Sequence, residues 1–261
     1  MFNRFSKLLT CGVTLLLSNV VVAQQQDGWQ FLLGAGVVGQ QTAWKKMPVQ
    51  TSAIPVFSAS SGPWRIGYDN GNILTYSFVE LENFRSYAGV GIRDAGYDPS
   101  TGFNVKLSED PVFQGYLKPD TEVVASVGAI WYWFSLQLAQ QVNEEQEALV
   151  ATLATDIPLV PFQHGGGLSL RLEANYMNEE FTNRIFGVSA SNQNIAVGRI
   201  AFTPPAATNL TVGLKLEYPY SEQIILMASV SATSINERLQ ESPLLDEDYS
   251  ADAMLMLAYR F

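Results

Sequence analysis

Hydrophobic and polar residues alternate one by one along several stretches of the chain, most regularly in its second half. Every second residue from Leu168 to Tyr176 is apolar, and the residues between them are polar or charged. The stretch from Leu210 to Tyr218 alternates in the same way. Successive side chains of a β-strand point to opposite faces, so both stretches predict strands with one apolar and one polar face.

The last stretch of the chain, from Ala253 to Phe261, alternates as well and ends on an aromatic residue. Leu255, Leu257, Tyr259 and Phe261 fall on one face, and this ending is typical of the closing strand of a bacterial outer-membrane barrel. It resembles the signal by which such barrels are recognised for insertion, which makes the barrel-assembly machinery a predicted partner. In a closed barrel this strand must also pair with the first one, near 29–38.

Turn residues divide the rest of the chain into further strand segments. Fourteen candidates can be marked: 29–38, 51–58, 64–68, 72–79, 84–93, 123–131, 134–138, 148–155, 168–176, 185–190, 194–202, 210–218, 223–233 and 253–261. The short segments around 64–79 and 185–202 can merge, so about twelve strands are predicted, within a range of ten to fourteen. Two long polar loops interrupt them, at 94–120 and 234–251.

These strands predict an all-β protein that is either a transmembrane antiparallel barrel or a soluble β-sandwich. Charged residues make up only 15% of the chain, against about 25% in typical soluble domains. Past the N-terminus no run of 18 apolar residues occurs, so a membrane-spanning form must be a closed barrel. Low charge, aromatic strand ends and the terminal Phe261 favour the outer-membrane barrel, in contact with outer-membrane lipid and lipopolysaccharide.

The N-terminus has the pattern of a secretory signal. Arg4 and Lys7 precede an apolar run that is too short for a membrane-spanning helix, and cleavage is predicted after Ala23. The chain then divides into a signal peptide at 1–23 and a barrel domain at 24–261. Cys11 is the single cysteine and lies in the signal. Disulfides and thiol catalysis are therefore not expected in the mature protein.

Charge excludes one class of partner. The formal net charge is −10, and loss of Arg4 and Lys7 with the signal makes it more negative. So acidic a protein is not expected to bind nucleic acid by charge.

The polar faces of the predicted strands carry charged residues that are expected to point into the barrel lumen. They are Arg85, Arg93, Arg171, Glu173, Lys215, Glu217 and Arg260. Inside a barrel they either cross-link a closed lumen or line a narrow polar pore. Twelve strands leave limited room once long side chains occupy the interior, so a mostly occluded lumen is favoured.

Catalytic and metal-binding patterns are weak in this sequence. His164, the single histidine, stands beside three glycines and is interpreted as a turn residue. The acidic clusters 144–147 and 246–248 match no cation-loop motif and are interpreted as solvated loops. No cofactor, metal site or catalytic residue is predicted.

Several local sequences together resemble the MipA/OmpV family of outer-membrane proteins, most closely over the last 90 residues or so. The segments that carry the resemblance are 184–189 (Arg-Ile-Phe-Gly-Val-Ser), 239–244 (Leu-Gln-Glu-Ser-Pro-Leu) and 257–261 (Leu-Ala-Tyr-Arg-Phe). Phe186, Gly187, Val188, Ser242 and Pro243 are the family marks here, and no chemistry is assigned to them.

The resemblance implies a non-enzymatic barrel of the outer membrane of a Gram-negative bacterium. One family member is regarded as a scaffold that joins a lytic transglycosylase to a murein synthase, so murein-synthesis and murein-hydrolysis proteins are expected partners. A small-solute channel is the first alternative function, because of the inward charges. An outer-membrane lipid hydrolase is the second, and it would require His164.

Overall fold

Twelve β-strands make up most of the protein. The computed structural model describes residues 28–69, 71–93, 108–143, 147–163 and 165–261, so the predicted signal peptide and His164 lie outside the described residues. The strands are β1 (Gln30–Gln41), β2 (Gln50–Ser61), β3 (Trp64–Asp69), β4 (Asn72–Leu81), β5 (Phe84–Arg93), β6 (Glu122–Trp131), β7 (Phe134–Gln141), β8 (Leu149–Pro161), β9 (Gly167–Met177), β10 (Ala207–Pro219), β11 (Ile224–Ser234) and β12 (Tyr249–Arg260).

Each strand pairs antiparallel with its neighbours in sequence, and β1 pairs with β12 to close the barrel. At this seam Leu33 lies opposite Tyr259 and Val37 opposite Leu255. The N–H of Phe261 donates to the carbonyl oxygen of Phe31 at 2.9 Å and extends the seam to the last residue. The predicted closed antiparallel barrel of about twelve strands, and the predicted pairing of its first and last strands, are thereby confirmed.

The two faces of each strand differ in polarity and exposure as the alternation predicted. Along β12, Leu255 and Leu257 are about half exposed, whereas Met256 and Ala258 between them are almost fully buried. The exposed face is aliphatic or aromatic on the other strands too, which leaves a hydrophobic band around the outside of the barrel. A large apolar outer surface is costly in water and is the surface that lipid requires.

The two ends of the barrel carry connections of different length. At one end, called here the short-turn end, strands are joined at 62–63, 82–83, 132–133, 162–166 and 220–223, and β1 begins and β12 ends there. At the opposite end, the long-loop end, the strands are separated in sequence by 42–49, 94–121, 142–148, 178–206 and 235–248, and once by only two residues, 70–71.

Exposed aromatic residues gather near the short-turn end. They include Trp29, Phe31, Trp64, Tyr76, Phe78, Trp131, Tyr132, Trp133, Phe134, Tyr218, Tyr220, Tyr259 and Phe261. Aromatic rings with one polar edge favour the boundary between lipid and water. This belt marks one level at which the barrel meets the membrane surface.

Two of the predicted strands are wrong. Segments 185–190 and 194–202 form no named strand. The first begins inside a helix, α1 (Glu179–Phe186), and the second contains a 3-10 helix at Ile195–Val197. Only isolated bridges remain, between Val188 and Phe202 and between Asn194 and Arg199. Ile185, Phe186 and Val188 are buried, whereas Ile195 and Ile200 are exposed, so the alternation there does not reflect strand structure.

The predicted end of the strand at 148–155 is also wrong, because β8 continues to Pro161. The pairing of β8 with β9 shifts register between Pro158 and Val160, and a bulge tolerates the missing N–H of proline. Pro55 is accommodated without a bulge, since it lies outside the part of β2 that pairs with β3, which runs only from Ser58 to Ser61. The long polar connection predicted at 234–251 contains a short helix, α2 (Glu237–Gln240). No helix in the described part of the chain is long and apolar enough to cross a membrane.

Candidate functional site

The connections at the long-loop end pack against one another into a compact layer, called here the loop cap, built from 42–49, 108–121, 147–148, 178–206 and 235–248. It contains two hydrophobic clusters that include residues of the adjoining strand ends. The first holds Ala43, Ala148, Met177, Phe181, Ile185, Phe186, Ala207, Ile235, Leu239 and Leu245. The second holds Met47, Val112, Phe113, Val188 and Leu244. A layer with its own core is a folded unit rather than a set of free loops.

Helix α1 supplies much of the first cluster. The side chain of Asn178 caps it by accepting the N–H of Phe181 at 3.0 Å, and the same oxygen accepts the N–H of Leu149 at 2.9 Å. Acidic residues in its first turn and Arg184 in its last suit the helix dipole. Phe181, Ile185 and other residues of one helix face are buried. The cap of the helix therefore also attaches it to the rim of the barrel at β8.

The five family marks come together inside the loop cap. The hydroxyl of Ser242 donates to the carbonyl oxygen of Phe186 at 2.6 Å, and Nζ of Lys45 donates to the carbonyl oxygen of Pro243 at 3.1 Å. Val188 bridges to Phe202. A Cβ on Gly187 would lie 2.2 Å from the carbonyl oxygen of Asn183, so only glycine fits there. The marks thus connect the 178–206 loop with the 235–248 loop.

Replacing Ser242 by alanine should loosen this connection. The change leaves the carbonyl oxygen of Phe186 buried without the hydroxyl donor, which costs about 1–3 kcal/mol. We expect faster proteolysis of the loop cap in the folded barrel, measured by the rate of cleavage within 178–206. The matched control is Ser189→Ala, an exposed serine of the same loop. Equal cleavage rates in the two variants would contradict this role for Ser242.

A buried ion triad joins the loop cap to the barrel wall. Glu122, at the first position of β6, is 0% exposed. One carboxylate oxygen lies 2.5 Å from Nη2 of Arg93, and the other lies 2.9 Å from Nε of Arg184 in α1. The Arg93 guanidinium also lies 4.4 Å from the ring centre of Phe181. Two cations are thereby held by one carboxylate at the rim. Arg93, which was predicted to face the lumen, pairs with Glu122 at the rim of the barrel.

Arg199 joins its own loop, 178–206, to the 108–121 loop, and sequence reasoning did not find it. Its Nη1 donates to the carbonyl oxygens of Val112 and Gln114 at 2.5 and 3.1 Å, and its Nε donates to that of Asn192 at 2.5 Å. Its guanidinium lies 5.7 Å from the ring of Tyr116. Burial raises the pKa of Tyr116, against the opposing effect of Arg199. These carbonyl contacts depend on tertiary packing, so no local sequence signal could have indicated them.

A further ion pair ties the 42–49 loop to the 108–121 loop. Nζ of Lys46 lies 3.0 Å from Oδ2 of Asp110, and Oδ1 of Asp110 accepts the N–H of Val112 at 2.9 Å. The backbone hydrogen bond lowers the pKa of Asp110, and Lys46 adds to that effect. The carboxylate is therefore fully charged at neutral pH.

Three of the charged residues predicted to face the lumen form one network in the wall. Arg171 Nη1 lies 3.1 Å from Oδ2 of Asp156, and its Nη2 lies 2.5 Å from Oε2 of Glu173. Nζ of Lys215 lies 3.5 Å from the same Asp156 oxygen. Asp156 was missed because the predicted strand stopped at 155. The network neutralises two cations with two carboxylates on three successive strands.

The remaining residues of that predicted set lie elsewhere. The Arg85 guanidinium lies 5.0 Å from the ring of Tyr87. Glu217 and Arg260 line a cavity of about 420 Å³ at the short-turn end. The two predicted terminal aromatics, Tyr259 and Phe261, are exposed, with ring centres 4.8 Å apart. The predicted charges are therefore divided between the cap, the wall and the short-turn end.

Part of the buried face of four adjacent strands is apolar, which the sequence analysis did not anticipate when it described a polar lumen. On β1, β2, β11 and β12 this face carries Leu32, Ile54, Val56, Ile225, Met227, Met254, Met256 and Ala258. Met256 is 1% exposed, because β1 has glycine at 34 and 36, over which side chains of β12 pack. One side of the interior is thus filled by aliphatic and methionine side chains.

In 28–69, 71–93, 108–143, 147–163 and 165–261, no group of three or more His, Cys, Asp or Glu side chains is arranged to hold a metal ion. His164 and the acidic residues 144–146 lie outside these ranges, so the interpretations given to them stay predictions.

Comparison with known proteins gives this barrel a family. The family described as MltA-interacting protein, MipA, matches residues 33–261, which is nearly the whole chain. The chain belongs to the MipA family. The resemblance noted from the segments at 184–189, 239–244 and 257–261 is confirmed, and all three segments lie within the matched residues.

A curated relative of this MipA-family chain is YiaT of Escherichia coli strain K12, an outer membrane protein by its name. It is 23% identical over 237 residues, which cover 88% of this chain and 90% of YiaT. The family and this relative locate the protein in the outer membrane of a Gram-negative bacterium.

Solved structures similar to this member of the MipA family include other barrels. OmpT of Vibrio cholerae with loop L8 deleted has a TM-score of 0.37 and 8% identity, covering 90% of this chain and 98% of its own. The toluene transporter TodX of Pseudomonas putida has a TM-score of 0.35 and 10% identity, covering 90% of this chain and 89% of its own.

Proposed function

We propose that this protein is a non-enzymatic outer-membrane barrel with an occluded interior, which acts as a scaffold for murein-synthesis and murein-hydrolysis proteins. The observation that carries the proposal is the packed loop cap. Leu239 and Leu244 in it are 0% exposed, and the ion triad at Glu122 fixes α1 to the rim. A pore for solutes needs an open mouth, and a cap with its own core leaves little room for one.

The interior supports the same function. Charged side chains of β8, β9 and β10 pair with one another, and apolar side chains fill part of the buried face of β1, β2, β11 and β12. Charges that neutralise each other in the wall hold strands together and offer little attraction to passing ions. A rigid closed barrel is a suitable platform for partners.

The family and the topology support this class of partner. The family is described by its interaction with MltA, and the family resemblance extends this to murein hydrolases and synthases. In outer-membrane barrels, short turns face the periplasm and longer loops face outward. The short-turn end is then the surface on the side where murein lies, and partners are expected there.

Two measurements on the purified barrel test this proposal. The folded state is verified first by the heat-dependent shift in electrophoretic mobility. In planar bilayers we expect the purified barrel to show no steady ion-selective openings. In a separate capture experiment, the folded barrel is immobilised and should retain MltA-type murein hydrolases from a periplasmic extract. Capture by the heat-unfolded protein serves as the control. Equal capture by folded and unfolded protein would remove the basis for a scaffold role.

A small-solute channel is the second candidate, favoured by the charged network around Arg171, which lies on the inner face of β8, β9 and β10. Steady openings that change ion selectivity in Arg171→Gln would establish that function in place of the scaffold.

The absence of enzymatic activity is tested separately with His164→Ala. A lipid A or phospholipid hydrolysis activity that this variant abolishes would show the non-enzymatic assignment to be wrong.

A further inference from the structure

Three methionines lie together on the inner face of the barrel. Met254 and Met256 are two residues apart on β12, so their side chains point to the same face. Met227 of β11 lies directly opposite Met256. Met227 and Met256 are buried in the apolar cluster of this face, and Met254 packs against it. Three of the six methionines of the chain are thereby gathered in one place.

The residue types chosen on these strands differ between the two faces. On β12, leucine occupies the exposed positions 255 and 257, whereas methionine occupies the interior positions 254 and 256. On β11, Leu226 pairs with the exposed Leu257, and methionine again follows at the interior position 227. Leucine and methionine replace each other at little cost in a protein core. Burial alone therefore does not require methionine at all three interior positions, and what methionine adds is a thioether sulfur.

The three side chains start close enough for their sulfur atoms to meet. Neighbouring strands are about 4.8 Å apart, and residues two apart on one strand are separated by about 6.6 Å. A methionine side chain has three rotatable bonds and adapts its course to its surroundings, so three thioethers that begin at these positions can converge on one ion. Met256 is 1% exposed, whereas Met254 is only partly buried. An ion therefore reaches the group from the interior, past Met254.

Carboxylates flank the methionines on the same inner face. Glu217 of β10 lies opposite Met227, and Asp252 lies two residues before Met254 on β12. Lys215, a cation of the same face of β10, is held by a carboxylate of β8 at 3.5 Å. Negative charge beside neutral sulfur atoms raises the local concentration of cations.

The chemistry of the donors selects the ion. Thioether sulfur is a soft, neutral ligand that suits Cu(I), whereas Mg²⁺ and Ca²⁺ are bound by carboxylate, carbonyl and water oxygens. The single cysteine, Cys11, lies in the predicted signal, so the barrel domain offers no thiolate to compete. We propose that Met227, Met254 and Met256 bind one soft monovalent metal ion of the Cu(I) class inside the barrel. The site is independent of the scaffold function.

NMR of the methionine ε-methyl groups tests the site on the folded barrel in detergent. The probe is Ag(I) in chloride-free buffer, because it has the charge and ligand preference of Cu(I) and is stable in air. We expect the signals of Met227, Met254 and Met256 to shift, and those of Met47 and Met177 to stay. Cu(I) added without oxygen should shift the same three signals. Unchanged signals, or equal shifts of all five, would overturn the proposal.

Magnesium separates the thioethers from the carboxylates beside them. Because Mg²⁺ prefers oxygen ligands, we expect it to leave the three methionine signals in place and to compete with Ag(I) at no more than a tenth of its affinity. Equal competition by Mg²⁺ would assign the site to Glu217 and Asp252, and the thioether site would be wrong.

Leucine variants locate the binding. Met227→Leu and Met254→Leu keep the side-chain volume and remove one sulfur each, so each should weaken Ag(I) binding at least tenfold in calorimetry. Met47→Leu, at a buried methionine of the loop cap, is the matched control and should bind as the unaltered protein does. Affinities equal to that of Met47→Leu would mean that the methionines serve packing alone. The heat-dependent mobility shift verifies folding, and if neither interior variant folds, the methyl spectrum of the unaltered protein decides.

Discussion

Replacing Gly34 by alanine is expected to lower the stability of the closed barrel markedly, whereas alanine at Gly39 leaves it nearly unchanged. Both glycines lie in β1 and face β12 across the seam. A Cβ on Gly34 would lie 2.3 Å from the carbonyl oxygen of Leu257 and 2.8 Å from Cα of Ala258. These are backbone atoms of the partner strand, so relief requires the two strands to separate. Overpacking of this kind costs about 1–3 kcal/mol or more.

Gly39 is the matched control because a Cβ there would meet no atom within 4 Å. The measurement is the fraction of refolded protein that shows the heat-dependent mobility shift, followed through a urea titration. We expect a lower transition midpoint and a smaller folded fraction for Gly34→Ala than for Gly39→Ala. Identical curves for the two variants would mean that the seam tolerates the extra carbon, and that the close approach has no energetic role.

Replacing Glu122 by glutamine should release the loop cap from the rim while the barrel below stays closed. The substitution keeps the shape of the side chain and removes the charge that Arg93 and Arg184 share. The side chain of Arg184 is 7% exposed, so its guanidinium would be left in a buried site without its counter-ion. Breaking a buried ion pair by removing one partner costs about 3–5 kcal/mol.

Limited proteolysis and amide hydrogen exchange measure this release. We expect faster cleavage and exchange in α1 and the 178–206 loop, and unchanged heat-dependent mobility of the barrel. Glu241→Gln, an exposed glutamate of the same cap, controls for a general loss of negative charge. Unchanged protection of α1 in Glu122→Gln would show that the hydrophobic clusters hold the cap without the triad.

The strands could be predicted wherever one face meets lipid and the other meets the interior. From Leu168 to Tyr176 and from Leu210 to Tyr218 the surroundings of the two faces differ along the whole stretch, so the sequence carries a clear period of two. The stretch around Phe186 to Ser189 has a similar local pattern, but its apolar residues contact other loops. The signal that could have found α1 was Asn178 as an N-cap, with Phe181 and Ile185 four residues apart on one face.

The candidate sites were less predictable because they join residues far apart in sequence. The family marks at Phe186 and Ser242 could be named from local sequence, but their hydrogen bond links two loops. Arg171 and Glu173 were found because they alternate with apolar residues on one strand. Their partner Asp156 lies on the neighbouring strand β8, one residue past the predicted strand end and before the register shift between Pro158 and Val160. Its contact with Arg171 depends on how the two strands pair, which a local pattern does not give.

The pairing of β1 with β12 has a consequence for the order of folding. The other eleven strand pairings join neighbours along the chain, and only this one joins its two ends, as between Leu32 and Arg260. Closing so long a loop carries the greatest entropic cost of any pairing here, and contacts between distant residues form slowly. The hairpins can therefore assemble first, and the seam is expected to form last, at the rate-limiting step. Until then the edges of β1 and β12 are open, and a partner that binds them in that interval can direct the sheet into the membrane before it closes.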